Sequence, residues 1–135
     1  MKALLMVAHP DGCIMFGLDA IHYFPSWDWH ITYLTYTADS DRGKEISTFW
    51  TNRNIPTDFL GYNDDYRDLE TGSISFDTDS ARNDIKTRVS GFDIVLTHDS
   101  KGDSGHLHHV FVNQCVYHSH SCVATFTPFN EGNLL

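Results

Sequence analysis

The chain has 135 residues, enough for one domain around a single hydrophobic core. Hydrophobic residues make up 41% and charged residues 20%, which excludes a disordered or membrane-embedded chain and leaves ordinary soluble globular material. The formal net charge of −9 argues against a surface that tracks nucleic-acid phosphates, which needs clustered Lys and Arg, and suits a small neutral or cationic substrate.

Residues 2–8 form a short continuous apolar run, the pattern of a strand covered on both faces. His9-Pro10-Asp11 stops it, so the run reads as a core strand rather than a signal peptide. From Asp11 to about Phe24 the pattern is helical, with Ile14, Leu18 and Ile21 on one face, and Pro25-Ser26 ends it. Residues 29–36 are β-branched and aromatic, a second strand. A polar loop follows, and then a helix over 42–53 with Asp41 available as its cap. Pro56 blocks continuation, and 57–61 reads as a third strand.

Residues 62–78 are rich in Asp, Gly and Ser and show no period. A loop that long is either functional or an error of assignment. Residues 80–90 form an amphipathic helix ended by Gly91, 92–97 a fourth strand, 99–105 a glycine-bearing loop, 106–118 a helix and 122–126 a fifth strand. Strands alternating with helices predict a single α/β domain over 1–135, a Rossmann-like three-layer fold with a mostly parallel sheet of about five strands. Three cysteines, Cys13, Cys115 and Cys122, are an odd number without paired spacing, as in a reducing compartment. No stretch reaches membrane-spanning length, so no membrane partner is expected and the expected address is cytoplasmic.

Two junctions carry the chemistry. His9-Pro10-Asp11 stands at the carboxyl end of the first strand, and Gly105-His106-Leu107-His108-His109 follows the fourth. Each has a bland reading. Pro10 stiffens a turn and Asp11 caps a helix, while His106 and His109, three apart, share one face of a helix start. His118 and His120 read as an incidental pair. If strand 1 is central and strand 4 its neighbour where the winding reverses, His9 and His109 flank one crevice and reach one ion. Imidazoles with a carboxylate beside them are the donors a borderline divalent cation wants.

These residues resemble the PIG-L/LmbE family of zinc-dependent N-deacetylases. The resemblance rests on Ala8-His9-Pro10-Asp11, on Asp41-Arg42-Gly43-Lys44-Glu45 and on Gly105-His106-x-x-His109, collinear over roughly residues 2–118. It implies Zn2+ on His9 and His109, Asp11 as the general base for the attacking water, and His106 as oxyanion stabiliser or acid to the leaving amine. Arg42 would lie near an N-acetylated small-molecule substrate, often a sugar, with Asp64 or Asp65 lining the same pocket.

The chain departs from the family pattern at two places. Gly12 stands where the family has its third metal ligand, a carboxylate, and Asp11 or Cys13 would have to replace it. Cys13 also reads as a small buried packing residue. His108 stands where the family has an acid that orients the preceding histidine, a role that Asp99 or Asp103 would then take. The chain is short for the family, so either a second subunit, in a homo-oligomer, completes the pocket or the pocket is shallow. Trp27, Trp29 and Phe129 are candidates for that contact.

Two functions follow. One is a metal-dependent hydrolase removing an N-acetyl group from an amino-sugar or related molecule. The other, motivated by Gly12, is a catalytically inactive relative that binds a ligand or a partner. A dinucleotide-binding domain fares badly, because no Gly-x-Gly-x-x-Gly follows the first strand.

Overall fold

In the computed structural model, which describes residues 1–10 and 13–125 without the side chains of 13–16, 103 and 104, strands and helices alternate along the chain. The strands are β1 (Lys2–Val7), β2 (Asp28–Thr35), β3 (Thr57–Tyr62), β4 (Ile94–Thr97) and β5 (Val123–Thr125). They form one sheet in the order β3-β2-β1-β4-β5, with every pairing parallel. The helices are α1 (Cys13–Tyr23), α2 (Asp41–Thr51), α3 (Arg67–Thr71), α4 (Thr78–Val89), α5 (Gly102–Gly105) and α6 (Leu107–Ser119).

The unbroken apolar run of β1 follows from its central place. Ala3, Leu5 and Val7 face one layer with Ile46 and Trp50 of α2 and with Leu18, Ala20 and Ile21 of α1. Leu4, Met6 and Ala8 face the other, against Ala81, Ile85 and Val89 of α4 and Phe111, Val112, Cys115 and Val116 of α6. Each fully buried Leu, Ile, Val or Met side chain among them contributes about 1.5–3 kcal/mol. Gly17 lets α1 approach the sheet: a Cβ there would sit 2.6 Å from Leu5 Cδ2. Trp50 Nε1 donates to the Tyr33 hydroxyl at 2.8 Å, so the one polar edge of that buried indole is satisfied.

Several elements differ from expectation. Ser40, not Asp41, caps α2: its hydroxyl accepts from Gly43 N at 3.0 Å. Both residues are good caps, and the loop selects Ser40 by bonding its hydroxyl also to Thr37 O at 2.7 Å. The polar stretch 62–78 contains the single-turn helix α3 and ends at Asp77, which caps α4 through Asp79 N and Ser80 N. Trp29 is buried rather than exposed, with Nε1 bonded to Phe24 O at 2.9 Å, and Trp27 stacks on Phe24. Phe129 lies outside the described residues. His120 is a clamp rather than incidental, bonded to Phe92 O at 2.7 Å and to Cys122 N at 3.0 Å. Among the described residues no helix is long and apolar enough to cross a membrane.

Candidate metal centre

The winding reverses between β1 and β4, since the chain runs outward through β2 and β3 on one side and through β4 and β5 on the other. A crevice therefore opens at the carboxyl ends of these two strands. Each end leads straight into a buried histidine, Ala8-His9 after β1 and Thr97-His98 after β4. The ends are pinned together. Ala8 N donates to His98 Nε2 at 3.0 Å, Thr97 Oγ1 to Met6 O at 2.7 Å, Thr35 Oγ1 to Ala8 O at 3.0 Å and Asn113 Nδ2 to His98 O at 2.7 Å. A backbone so fully bonded holds the imidazoles it carries in place.

The third contributor is the start of α6. His106 is its N-cap, accepting from His108 N through Nδ1 at 3.2 Å, so the Gly-His-Leu-His-His run places His108 and His109 in the first turn. His9 Nε2 lies 2.9 Å from His108 Nδ1, and His9 Nδ1 lies 3.2 Å from His109 Nε2. The rings of His98 and His106 flank His109 almost in parallel, at 3.9 and 4.3 Å between centroids. His9, His106 and His108 each bring a nitrogen within 4.8 Å of the others, a group that could hold a metal ion.

The long polar segment supplies the acids. His108 Nε2 is 2.7 Å from Asp68 Oδ2, both side chains are buried, and the same carboxylate accepts from Ser75 N at 3.2 Å. Asp64 Oδ1 lies 3.4 Å from His9 Nε2 and 3.7 Å from His108 Nδ1. The Tyr36 hydroxyl bonds the other Asp64 oxygen at 3.4 Å.

Burial pushes His9 down to about 2 from its usual 6.5, helped by the repulsion of His106, His109, His108 and His98. It is therefore neutral at physiological pH, the form that ligates metals. For Asp68, burial favours the neutral acid, but the hydrogen bonds from His108 and Ser75 outweigh it and hold the carboxyl below the usual range.

Of the residues named from sequence, His9, His106, His109 and Asp64 come together here. Asp11 and Gly12 lie outside the described residues, and of Cys13 only its place at the start of α1 is described. Asp65 turns to Arg67, which it grips through both oxygens at 2.8–3.2 Å, and Arg42 stands exposed in the first turn of α2. Asp99 accepts from Lys101 N at 3.0 Å, and the side chain of Asp103 is outside the described set. Asp68 and His98 are additions to the residues expected from sequence, and His108 had no expected ligand role. His98 had a signal, since it ends a strand just as His9 does. Asp68 had none beyond lying in the long aperiodic segment.

No protein-family model and no curated protein matches this chain.

The donors fit a divalent cation. A tetrahedral ion bound by nitrogen and oxygen at about 2.0–2.2 Å needs ligand atoms about 3.3–3.5 Å apart. The His9 and His108 nitrogens are already within a few tenths of an ångström of that, and three imidazoles with a carboxylate alongside are the hard-to-borderline set that zinc or cobalt takes.

Proposed function

We propose that the chain is a metal-dependent hydrolase that removes an N-acetyl group from an amino-sugar or a related small molecule. The single observation that supports this is the convergence of His9, His106 and His108 at the β1/β4 switch point, where open α/β sheets bind ligands. The resemblance of the Ala8-to-Asp11 and Gly105-to-His109 segments to N-deacetylases gives the reaction class. When bound, a divalent ion supplies Lewis acidity, polarising an acyl oxygen and lowering the pKa of water to about 7.

The chain's own residues do the rest. His9, His106 and His108 would hold the ion, with His109 against the far nitrogen of His9 and Asp68 behind His108. Asp11 would take the proton of the attacking water. Arg42, exposed in the first turn of α2, would meet the substrate, while Asp65 is taken up by Arg67. The experiment is hydrolysis of N-acetylglucosaminyl compounds with added zinc or cobalt and with a chelator. Metal-dependent release of acetate is expected, and no turnover together with no metal uptake ends the proposal.

One observation favours a second reading. The imidazoles bond each other directly, so the cluster satisfies itself without an ion, and Gly12 removes a carboxylate where the family pattern has one. On that reading the chain is an inactive relative that binds a ligand or partner. Gly12→Asp separates the two: tight metal binding and activity appearing only in the variant identify a degenerate site.

A further inference from the structure

We propose that Asp64 is itself a metal ligand, completing the centre from the loop between β3 and α3 and standing in for the acid missing at position 12; this rests on the metal reading above. His9 Nε2, His108 Nδ1 and Asp64 Oδ1 form a triangle with edges of 2.9, 3.4 and 3.7 Å. One face of a ligand tetrahedron around a zinc-sized ion has edges of about 3.3–3.5 Å, so the triangle brackets the required size without movement of the backbone. The two edges that involve Asp64 lie closer to it than the imidazole–imidazole edge.

The carboxylate is aimed, not merely nearby. Its Oδ2 is bonded by the Tyr36 hydroxyl, which leaves Oδ1 turned to the two imidazoles. Tyr36 reaches it from a left-handed backbone, φ 66°, just past a register irregularity between Tyr33 and Thr35 in the β2–β3 pairing. An aromatic residue held there costs about 1–2 kcal/mol, strain of the kind that collects at functional sites. His108 is fixed from behind by Asp68, so that its Nδ1 faces the same point. Charge favours the acid. Asp68 offsets a dication only through His108, whereas Asp64, a carboxylate only a quarter exposed, sets an anion directly against the ion at small desolvation cost.

The test is titration of the metal-free full chain with Zn2+ and with Co2+, for the parent protein, Asp64→Asn, Asp64→Ala and the neighbouring control Asp65→Asn. Affinity is read by calorimetry and coordination by the visible spectrum of bound Co2+; circular dichroism checks folding. The parent is expected to bind one equivalent with the intense absorption of four-coordinate cobalt. Both Asp64 variants should lose more than about 100-fold in affinity, beyond the range usual for an outer hydrogen-bond partner, and should shift the spectrum. Asp65→Asn should stay within about twofold of the parent. Asp64 variants that keep the parent's affinity and spectrum would overturn this proposal while leaving the metal reading intact. A parent protein that takes up no metal overturns the metal reading and, with it, this one.

Discussion

Asp68 and His108 form a buried pair, 2.7 Å between Oδ2 and Nε2, that sets the direction of the hydrogen bonds running from His108 through His9 to His109. The carboxylate accepts only, so His108 donates from Nε2 and presents a lone pair on Nδ1. His9 Nε2 then donates to that lone pair and His9, kept neutral by its burial, accepts on Nδ1 from His109. One carboxylate thus orders three imidazoles in a row.

Removing that carboxylate should therefore cost stability and affinity together. Asp68→Ala leaves the His108 Nε2–H and Ser75 N without their acceptor, one of them deeply buried, and should destabilise the fold by about 1–3 kcal/mol. Metal affinity should fall about 10–100-fold, the usual loss when an outer partner of a ligand imidazole is removed. Asp68→Asn, which keeps an acceptor oxygen, should recover most of the stability. Chemical denaturation and metal calorimetry on the three proteins check both effects.

The metal-free protein should be acid-sensitive through His9. Its folded pKa, about 2, lies below the ordinary 6.5 of the unfolded chain, so the unfolded state binds the proton first. Stability from this group is present above pH 6.5 and is lost as pH falls below it, by up to about 1.4 kcal/mol per pH unit. Urea midpoints measured in chelator at pH 8, 6.5 and 5 should decline across the last interval. His9→Gln, which has no proton to gain, should flatten that decline.

The central strand was legible because a strand covered on both faces writes itself as an unbroken apolar run, as β1 does, and β2 showed itself instead by its β-branched and aromatic residues. The switch point entered only as a condition, strand 1 central with strand 4 beside it, because strand order is not written in the sequence; the order β3-β2-β1-β4-β5 meets that condition. What could not be read were the partnerships. Asp68 meets His108 across 40 residues and His9 meets His108 across 99, and no local period encodes either. The five-residue α3 that carries Asp68 is too short to show helical spacing. His108 looked like the loss of an orienting acid. In the fold it belongs to the group that could hold a metal ion, and its orienting acid comes from another segment.

Gly43 offers a test of the fold away from the imidazoles. In the first turn of a helix, Gly→Ala ordinarily stabilises by up to about 1 kcal/mol. Here a Cβ would run into the Thr37 carbonyl and sit 2.9 Å from the Ser40 hydroxyl that caps the helix. Gly43→Ala should therefore have the opposite sign, displacing the β2–α2 loop and costing about 1–3 kcal/mol. A raised melting temperature in this variant would show that the loop is not packed against α2 as described.

Metal binding should rewrite the tautomers in a defined order. Coordination through His9 Nε2 removes the proton that this nitrogen gives to His108, while His108 keeps its own on Nε2 because Asp68 holds it. His9 must then carry its proton on Nδ1 and donate to His109 Nε2, reversing a 3.2 Å bond whose donor in the metal-free state is His109. His109 in turn moves its proton to Nδ1. Nitrogen-15 shifts of labelled histidines, recorded before and after one equivalent of Zn2+, should therefore show His9 and His109 exchanging tautomers, His108 unchanged, and His106 moving its proton from Nε2 to Nδ1 at the cost of the bond from His108 N. A spectrum in which His108 changes and His9 does not would place the ion elsewhere.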